Sequence, residues 1–291
     1  MPHFDRKTRI IRAVLTVALL AAWPAGSALA QGPPTYSPEQ LDKMVSRIAL
    51  YPDPLLAQVL AAATFPDQIP DAAKWADQHH YLTGDALAKA IAEDHLPWDP
   101  SVQALLPFPS VLEMMASDMG WTTDLGNAFL AQRQDVMDAV QRMRQKAKDY
   151  GYLRSNGQVI VKGGPYIEIL PANPAFICVP SYDPLVVFAP PRPGFAVGAA
   201  ISFRFGVTIG AAFRPWGWGA CRFDWGSHVV FINGAPWGRV WANRGVYGHP
   251  YHLEHWDAAR RVESHRLIER SAHEREEARL GHRGVEEHHH H

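Results

Sequence analysis

The stretch IALYPDPLLAQVLAAATFP, residues 48–66, decides the fold, because it sets good helix formers between prolines. Its leucines, valine and alanines favour helix, but Pro52, Pro54 and Pro66 interrupt any single long one. Proline is tolerated at the start of a helix, where its missing N–H would have no partner anyway. We therefore interpret each proline as the beginning of a new short helix, and expect several helices joined by tight corners.

Other residues of the first half follow the same order of cap and helix start. Ser37-Pro38-Glu39-Gln40 and Ser110-Val111-Leu112-Glu113 both have the pattern of a capping box. Asp53, Asp67 and Asp99 are interpreted as N-cap residues rather than as catalytic acids or bases. The apolar spacing then predicts helices near residues 38–50, 54–64, 68–79, 84–94, 100–106, 110–119 and 122–150.

Beyond residue 156 the apolar period changes to two, which is typical of strands. Residues 158–161 predict one strand, and residues 166–190 predict a meander of three short strands with proline corners. Residues 201–209 alternate clearly, although glycines four apart leave a membrane helix as an alternative. Asn233-Gly234 predicts a type I′ turn within a hairpin.

These patterns predict an α+β protein. The expected parts are a helical domain at 36–156, a β meander at 157–190, a Gly/Trp-rich β segment at 191–256 and a charged, His-containing tail at 257–291, helical or disordered. Residues 1–30 have the basic, apolar and A-x-A regions of a signal peptide. We therefore expect a periplasmic or secreted protein with no transmembrane span after cleavage.

The net charge argues against nucleic-acid binding, and the two cysteines predict a disulfide. The net charge is −1 for the whole chain and becomes about −4 without residues 1–30, so there is no basic footprint for nucleic acid. The only cysteines are Cys178 and Cys221. Export to an oxidising compartment predicts one disulfide between them, and two buried thiols are the alternative.

Four stretches resemble the bacterial domain-of-unknown-function family 3300. They are IALYPDPLLAQVLAAATFP, WDPSVQALLPFPSVLEMM, WTTDLGNAFLAQRQDVMDAVQRMRQKA and ILPANPAFICVPSYDPLVVF. Together they cover roughly residues 37–190 in the same order. The resemblance implies an exported bacterial protein of unsettled activity, and it assigns no catalytic residues.

The residues themselves also give no catalytic constellation. The sequence contains no G-x-S-x-G, H-E-x-x-H, P-loop or C-x-x-C motif. Six tryptophans are the first candidates for binding, because flat rings can stack on sugars or peptides, although they can equally cover a thin β layer: Trp216, Trp218, Trp225, Trp237, Trp241 and Trp256.

Histidines are the second candidates. His249, His252 and His255 are spaced three apart, as ligands of zinc or copper on one helix face would be. Pro250 argues against a regular helix there, and scattered solvated histidines are the alternative. No other cofactor is predicted.

The leading hypothesis is a non-catalytic exported envelope protein that binds a periplasmic or cell-wall partner through its Trp-rich C-terminal region. One alternative is an enzyme that acts on cell-wall glycan or peptide. The other is a periplasmic zinc- or copper-binding protein. The sequence leaves the oligomeric state open.

Overall fold

The computed structural model describes residues 32–247, and most helices of its first half begin close to a proline. The helices are α1 Pro38–Val45, α2 Asp53–Ala63, α3 Ile69–Gln78, α4 Gly84–Glu93, α5 Pro100–Gln103, α6 Pro109–Ser117, α7 Met119–Ala131 and α8 Arg133–Asp149. Proline occupies the first or second position of α1, α2, α3, α5 and α6. The predicted signal peptide and tail lie outside the described residues.

Two of the predicted caps are confirmed and the others are wrong. Ser37 forms its capping box with Gln40, and Asp99 Oδ1 accepts hydrogen bonds from Ser101 N at 3.0 Å and Ser101 Oγ at 2.7 Å. No side chain caps α6, where a capping box was predicted at Ser110. Asp67 lies within a short 3-10 turn and caps nothing, and Asp53 is the first residue of α2 rather than its cap.

The single helix predicted over 122–150 is also wrong, because it divides into α7 and α8. The break is at Gln132, whose φ of −137° and ψ of 47° are not helical. The Gln132 side chain is held by the backbone of Tyr36: its Oε1 accepts from Tyr36 N at 2.8 Å and its Nε2 donates to Tyr36 O at 3.2 Å. The segment before α1 thus fixes the break between α7 and α8 through these two hydrogen bonds.

The strands form three small antiparallel sheets. They are β1 Val159–Lys162, β2 Glu168–Pro171, β3 Phe176–Tyr182, β4 Ile201–Thr208, β5 Arg222–Asp224, β6 Val229–Ile232 and β7 Ala235–Pro236. β1 pairs with β2, β3 with β4, and β6 with both β5 and β7. The α+β class is confirmed.

The predicted three-stranded meander is not formed. β3 pairs with β4 instead of β2, across the proline-rich segment 190–193. The third predicted strand is a short helix, α9 Pro184–Val187, because the Asp183 carboxylate caps it by accepting from Leu185 N at 2.9 Å.

Two other strand predictions are confirmed. Residues 201–208, for which a membrane helix was the alternative, form strand β4. None of the helices within residues 32–247 combines the length and apolar character needed to cross a bilayer. Asn233 and Gly234 have φ of 54° and 74°, as both central residues of a type I′ turn require. This turn joins β6 to β7.

One apolar core extends from the helices into the β region. It contains residues of α1 to α8 together with residues of the β region such as Phe213, Phe223 and Val230 and the tryptophans Trp216, Trp218, Trp225 and Trp237. The helices pack closely enough that α7 crosses α2 through a glycine: a Cβ on Gly126 would lie 1.9 Å from Ala63 O. A second, smaller apolar cluster lies around Ile169 of β2 and Val187 of α9.

The predicted Cys178–Cys221 disulfide is not formed, and both cysteines are buried free thiols. Cys178 lies on β3 opposite Gly206. Cys221 Sγ is engaged elsewhere, donating to Gly217 O at 3.1 Å and accepting from Gln58 Nε2 at 3.2 Å. Burial raises the pKa of Cys221 to about 12, so this thiol is protonated and unreactive at neutral pH.

Candidate binding site beside the β3–β4 ribbon

A buried ion pair joins α8 to α2. Arg144 of α8 is 0% exposed and Asp53 of α2 is 2% exposed, and Arg144 Nη1 donates to Asp53 Oδ1 at 2.6 Å. The guanidinium also donates to the carbonyl oxygens of Ala49, Tyr51 and Ile167 at 2.8–3.0 Å. Trp225 Nε1 donates to Asp53 Oδ2 at 3.2 Å.

This pair is a structural centre rather than a reaction centre. All three nitrogens of the Arg144 guanidinium donate, and both oxygens of Asp53 accept, so no polar group is left to meet a substrate. The pair joins the 49–53 corner to α8, β2 and the Trp225 ring. Asp53 was predicted to be a helix cap, and its real partners are too distant in sequence for any local pattern to indicate them.

Four of the six candidate tryptophans lie in the core. Trp216, Trp218, Trp225 and Trp237 are all buried. Trp216 Nε1 donates to Gln103 Oε1 at 3.1 Å and Trp218 Nε1 donates to Ala104 O at 3.0 Å, both in the α5 region. These rings therefore attach the β region to the helices and offer no exposed stacking surface.

The other candidates lie at or beyond the edge of the described residues. Trp241 is half-buried, and its ring lies 3.8 Å from the Arg244 guanidinium carbon. Trp256 and the three histidines His249, His252 and His255 lie outside residues 32–247. Within that range no group of three His, Cys, Asp or Glu residues could hold a metal ion.

Two grooves flank the β3–β4 ribbon, which we define as residues 176–182 and 201–208. The first has a volume of about 490 Å³, and its lining includes Arg47, Tyr51, Ser110, Met114, Tyr182 and Phe205. The second has a volume of about 390 Å³, and its lining includes His79, His80, Leu87, Pro109, Val207 and Phe213. The two grooves use neighbouring residues of the same elements: Ser110 and Phe205 line the first, and Pro109 and Gly206 line the second.

The polar groups of the first groove are fixed and unsuited to acid–base chemistry. Arg47 Nη2 pairs with Asp118 Oδ2 at 2.8 Å, and its guanidinium carbon lies 4.9 Å from the Trp121 ring centre. Burial raises the pKa of Tyr51 to about 12, and burial also raises the pKa of Tyr182, whose hydroxyl donates to Ser46 O at 2.7 Å. Both phenols are therefore neutral hydrogen-bonding groups at neutral pH.

Phe205 is the most unusual residue of this site. It lies opposite Val179 in the ribbon and lines the first groove, yet 68% of it is exposed. The next residue, Gly206, leaves room for the Phe176 ring, since a Cβ there would lie 2.2 Å from Phe176 Cζ. Phe176 thus packs against the ribbon backbone and is 36% exposed, whereas Phe205 is 68% exposed.

Charge divides unevenly between the two parts of the described chain. Residues 32–150 contain nine Lys and Arg against sixteen Asp and Glu, whereas residues 151–247 contain eight against three. Residues 184–223, which include β4, carry four arginines and no acidic residue. The sequence around β4 is therefore basic, whereas the helical part of the described chain is acidic.

Sequence reasoning found β4 but not the site. The alternation of Ile201, Phe203, Phe205 and Val207 indicated a strand with a buried face. No sequence signal showed that Phe205 would be uncovered, because its neighbours across the groove come from the connection between α1 and α2 and from α6, both distant in sequence. The uneven distribution of basic and acidic residues between the two parts of the described chain was the one sequence signal that could have indicated this region.

Comparison with known proteins gives a family but no activity. The family model described as "Protein of unknown function (DUF3300)" matches residues 37–275. The protein described as "Uncharacterized protein YacH" from Escherichia coli (strain K12) is 34% identical over 209 residues, which are 60% of this chain and 33% of that protein. The chain thus spans about a third of the length of this curated relative. No solved structure matches the chain.

Proposed function

This chain belongs to the DUF3300 family of proteins of unknown function, and from that premise we propose that it is a non-catalytic exported protein of the bacterial envelope. Its role would be to bind a polypeptide partner in the periplasm or at the cell wall. The binding surface would be the two grooves beside the β3–β4 ribbon, in place of the tryptophan rings.

The exposed ring of Phe205 is the observation that carries this proposal. A large apolar side chain that is 68% exposed beside a groove with apolar walls offers a partner favourable burial of apolar surface. Both grooves combine apolar walls with a few polar groups and have volumes in the range typical of binding sites. The fixed tyrosines and the paired arginine of the first groove suit recognition better than chemistry.

Site-specific photocrosslinking tests the proposal in living bacteria. A photoreactive phenylalanine analogue replaces Phe205 in the full chain, and the crosslinked partner segment is identified by mass spectrometry. The matched control carries the same analogue at Ile160 of β1, which is 42% exposed but lies outside both grooves. We expect one defined polypeptide segment to crosslink from position 205 and not from position 160.

A groove-filling variant provides the second arm of this test. Ser110 is exposed and lines the first groove, so Ser110→Trp fills the groove without disturbing the core. We expect this variant to remain folded and to lose the crosslink from position 205. The proposal fails if the two positions capture the same proteins, or if Ser110→Trp leaves the crosslink unchanged.

A further inference from the structure

The outer edge of β4 is an unpaired strand edge. β4 has eight residues and pairs only with β3 in the described structure. In an antiparallel pair, alternate residues direct their N–H and C=O groups away from the partner strand. Apart from the pairing with β3, the backbone of residues 201–208 makes no hydrogen bond with any residue from 32 to 247.

The ribbon has two edges, and only one of them is suited to accept another strand. β3 contains Pro180, which lacks an N–H. The register shift leaves Phe203 and Arg204 of β4 opposite this one residue, so the bulge lies in the first half of β4 and residues 205–208 are its regularly paired part. A proline protects a strand edge from further pairing. β4 contains no proline, so its edge keeps every donor and acceptor.

The charge around β4 indicates what kind of strand would fit. Arg204 is exposed and forms no ion pair or side-chain hydrogen bond with any residue of the described chain. An acidic side chain opposite Arg204 in an added strand would therefore pair with a cation that has no partner within residues 32–247, whereas a basic side chain there would be repelled.

We propose that β4 binds an extended acidic segment of a partner polypeptide as an additional strand. This inference rests on the proposed function and specifies the partner. Main-chain hydrogen bonds to the β4 edge would supply affinity, as in other strand-addition complexes. Side chains of the added strand alternate between its faces, so an acidic residue at Arg204 places apolar neighbours beside Phe205 and Val207.

The experiment uses two synthetic peptides and the full chain. One peptide alternates Val and Thr with a single central Glu, and the other has Lys at that position. Binding is measured by fluorescence anisotropy, and exchange of the β4 amide protons is followed by NMR. We expect the Glu peptide to bind at least about fivefold more tightly than the Lys peptide.

We also expect the Glu peptide to slow exchange of alternate β4 amides by about tenfold or more, because an added strand protects only the outward N–H groups. Arg204→Glu should reverse the preference between the two peptides. Arg192→Glu is the matched control, since Arg192 is also exposed and lies outside β4, and it should leave the preference unchanged.

Other outcomes overturn this inference and separate it from the proposed function. If the peptides change only the NMR signals of groove residues and do not protect β4 amides, strand addition is wrong, but the proposed groove binding stands. Protection that rises with protein concentration and without peptide would assign the β4 edge to a second copy of this chain. A preference for the Lys peptide, or none at all, would remove the acidic partner.

Discussion

Neutralising Asp53 should destabilise the protein more than any surface change of the same chemistry. In Asp53→Asn, one oxygen can still accept from Arg144, but the new amide NH₂ faces the indole N–H of Trp225, so two donors meet. The Arg144 charge is then left buried without a counter-charge. Removing one partner of such a pair costs about 3–5 kcal/mol of the free energy of unfolding.

The assay is urea unfolding at neutral pH, followed by circular dichroism. The midpoint should fall while the slope stays unchanged, which marks a loss of stability without a change in compactness. In thermal unfolding, a domain of this size should lose roughly 10 °C.

The matched control is an ion pair whose arginine lies on the same helix as Arg144. Arg142 Nη2 contacts Asp42 Oδ1 at 2.7 Å, but the two side chains are 42% and 21% exposed. Asp42→Asn should therefore cost no more than about 1 kcal/mol.

A result in which Asp53→Asn costs no more than Asp42→Asn would refute the reasoning. A double-mutant cycle with Arg144→Met adds a second test. The two changes should couple by about 2 kcal/mol or more, because the residues are in direct contact. Simple additivity would assign the loss to packing rather than to the ion pair.

Three further predictions concern close packing and the thiols. Gly126→Ala should cost about 2 kcal/mol or more in urea unfolding, because its Cβ meets Ala63 O, whereas Gly120→Ala in the same helix, with its nearest atom at 3.8 Å, should be tolerated. In the native protein neither cysteine should react with a thiol reagent, whereas two thiols per chain should react after unfolding. A Cys178–Cys221 disulfide would leave no reactive thiol in either state. Burial raises the pKa of Cys221 from 9.0 to about 12, so the unfolded state loses its proton first and stability should fall as pH rises from 9 to 12, by up to about 1.4 kcal/mol per pH unit. Cys221→Ala should make this alkaline decline shallower, and an unchanged decline would contradict the assignment.

Local signals explain why the helix starts were predictable. Ser37 and Asp99 cap helices through bonds that span only two or three residues, so the sequence around each contains the whole interaction. The type I′ turn at Asn233-Gly234 is equally local. Such features depend on backbone geometry that neighbouring residues determine by themselves.

Distant partners explain what sequence could not provide. Asp53 looks like a cap, but its carboxylate binds Arg144, 91 residues away, and Trp225, 172 residues away. The break at Gln132 likewise depends on Tyr36, 96 residues away. Burial of the tryptophans follows from the same cause, since the helices that cover them are distant in sequence.

The buried contacts of Asp53 also determine how much of the chain is needed before residues 49–53 can be buried with all their partners. The corner at residues 49–53 has all its partners only when both the guanidinium of α8 and the Trp225 indole are present. A nascent chain released as far as α7 would therefore hold a carboxylate that must stay in water. Complete burial of this corner therefore requires the chain through Trp225.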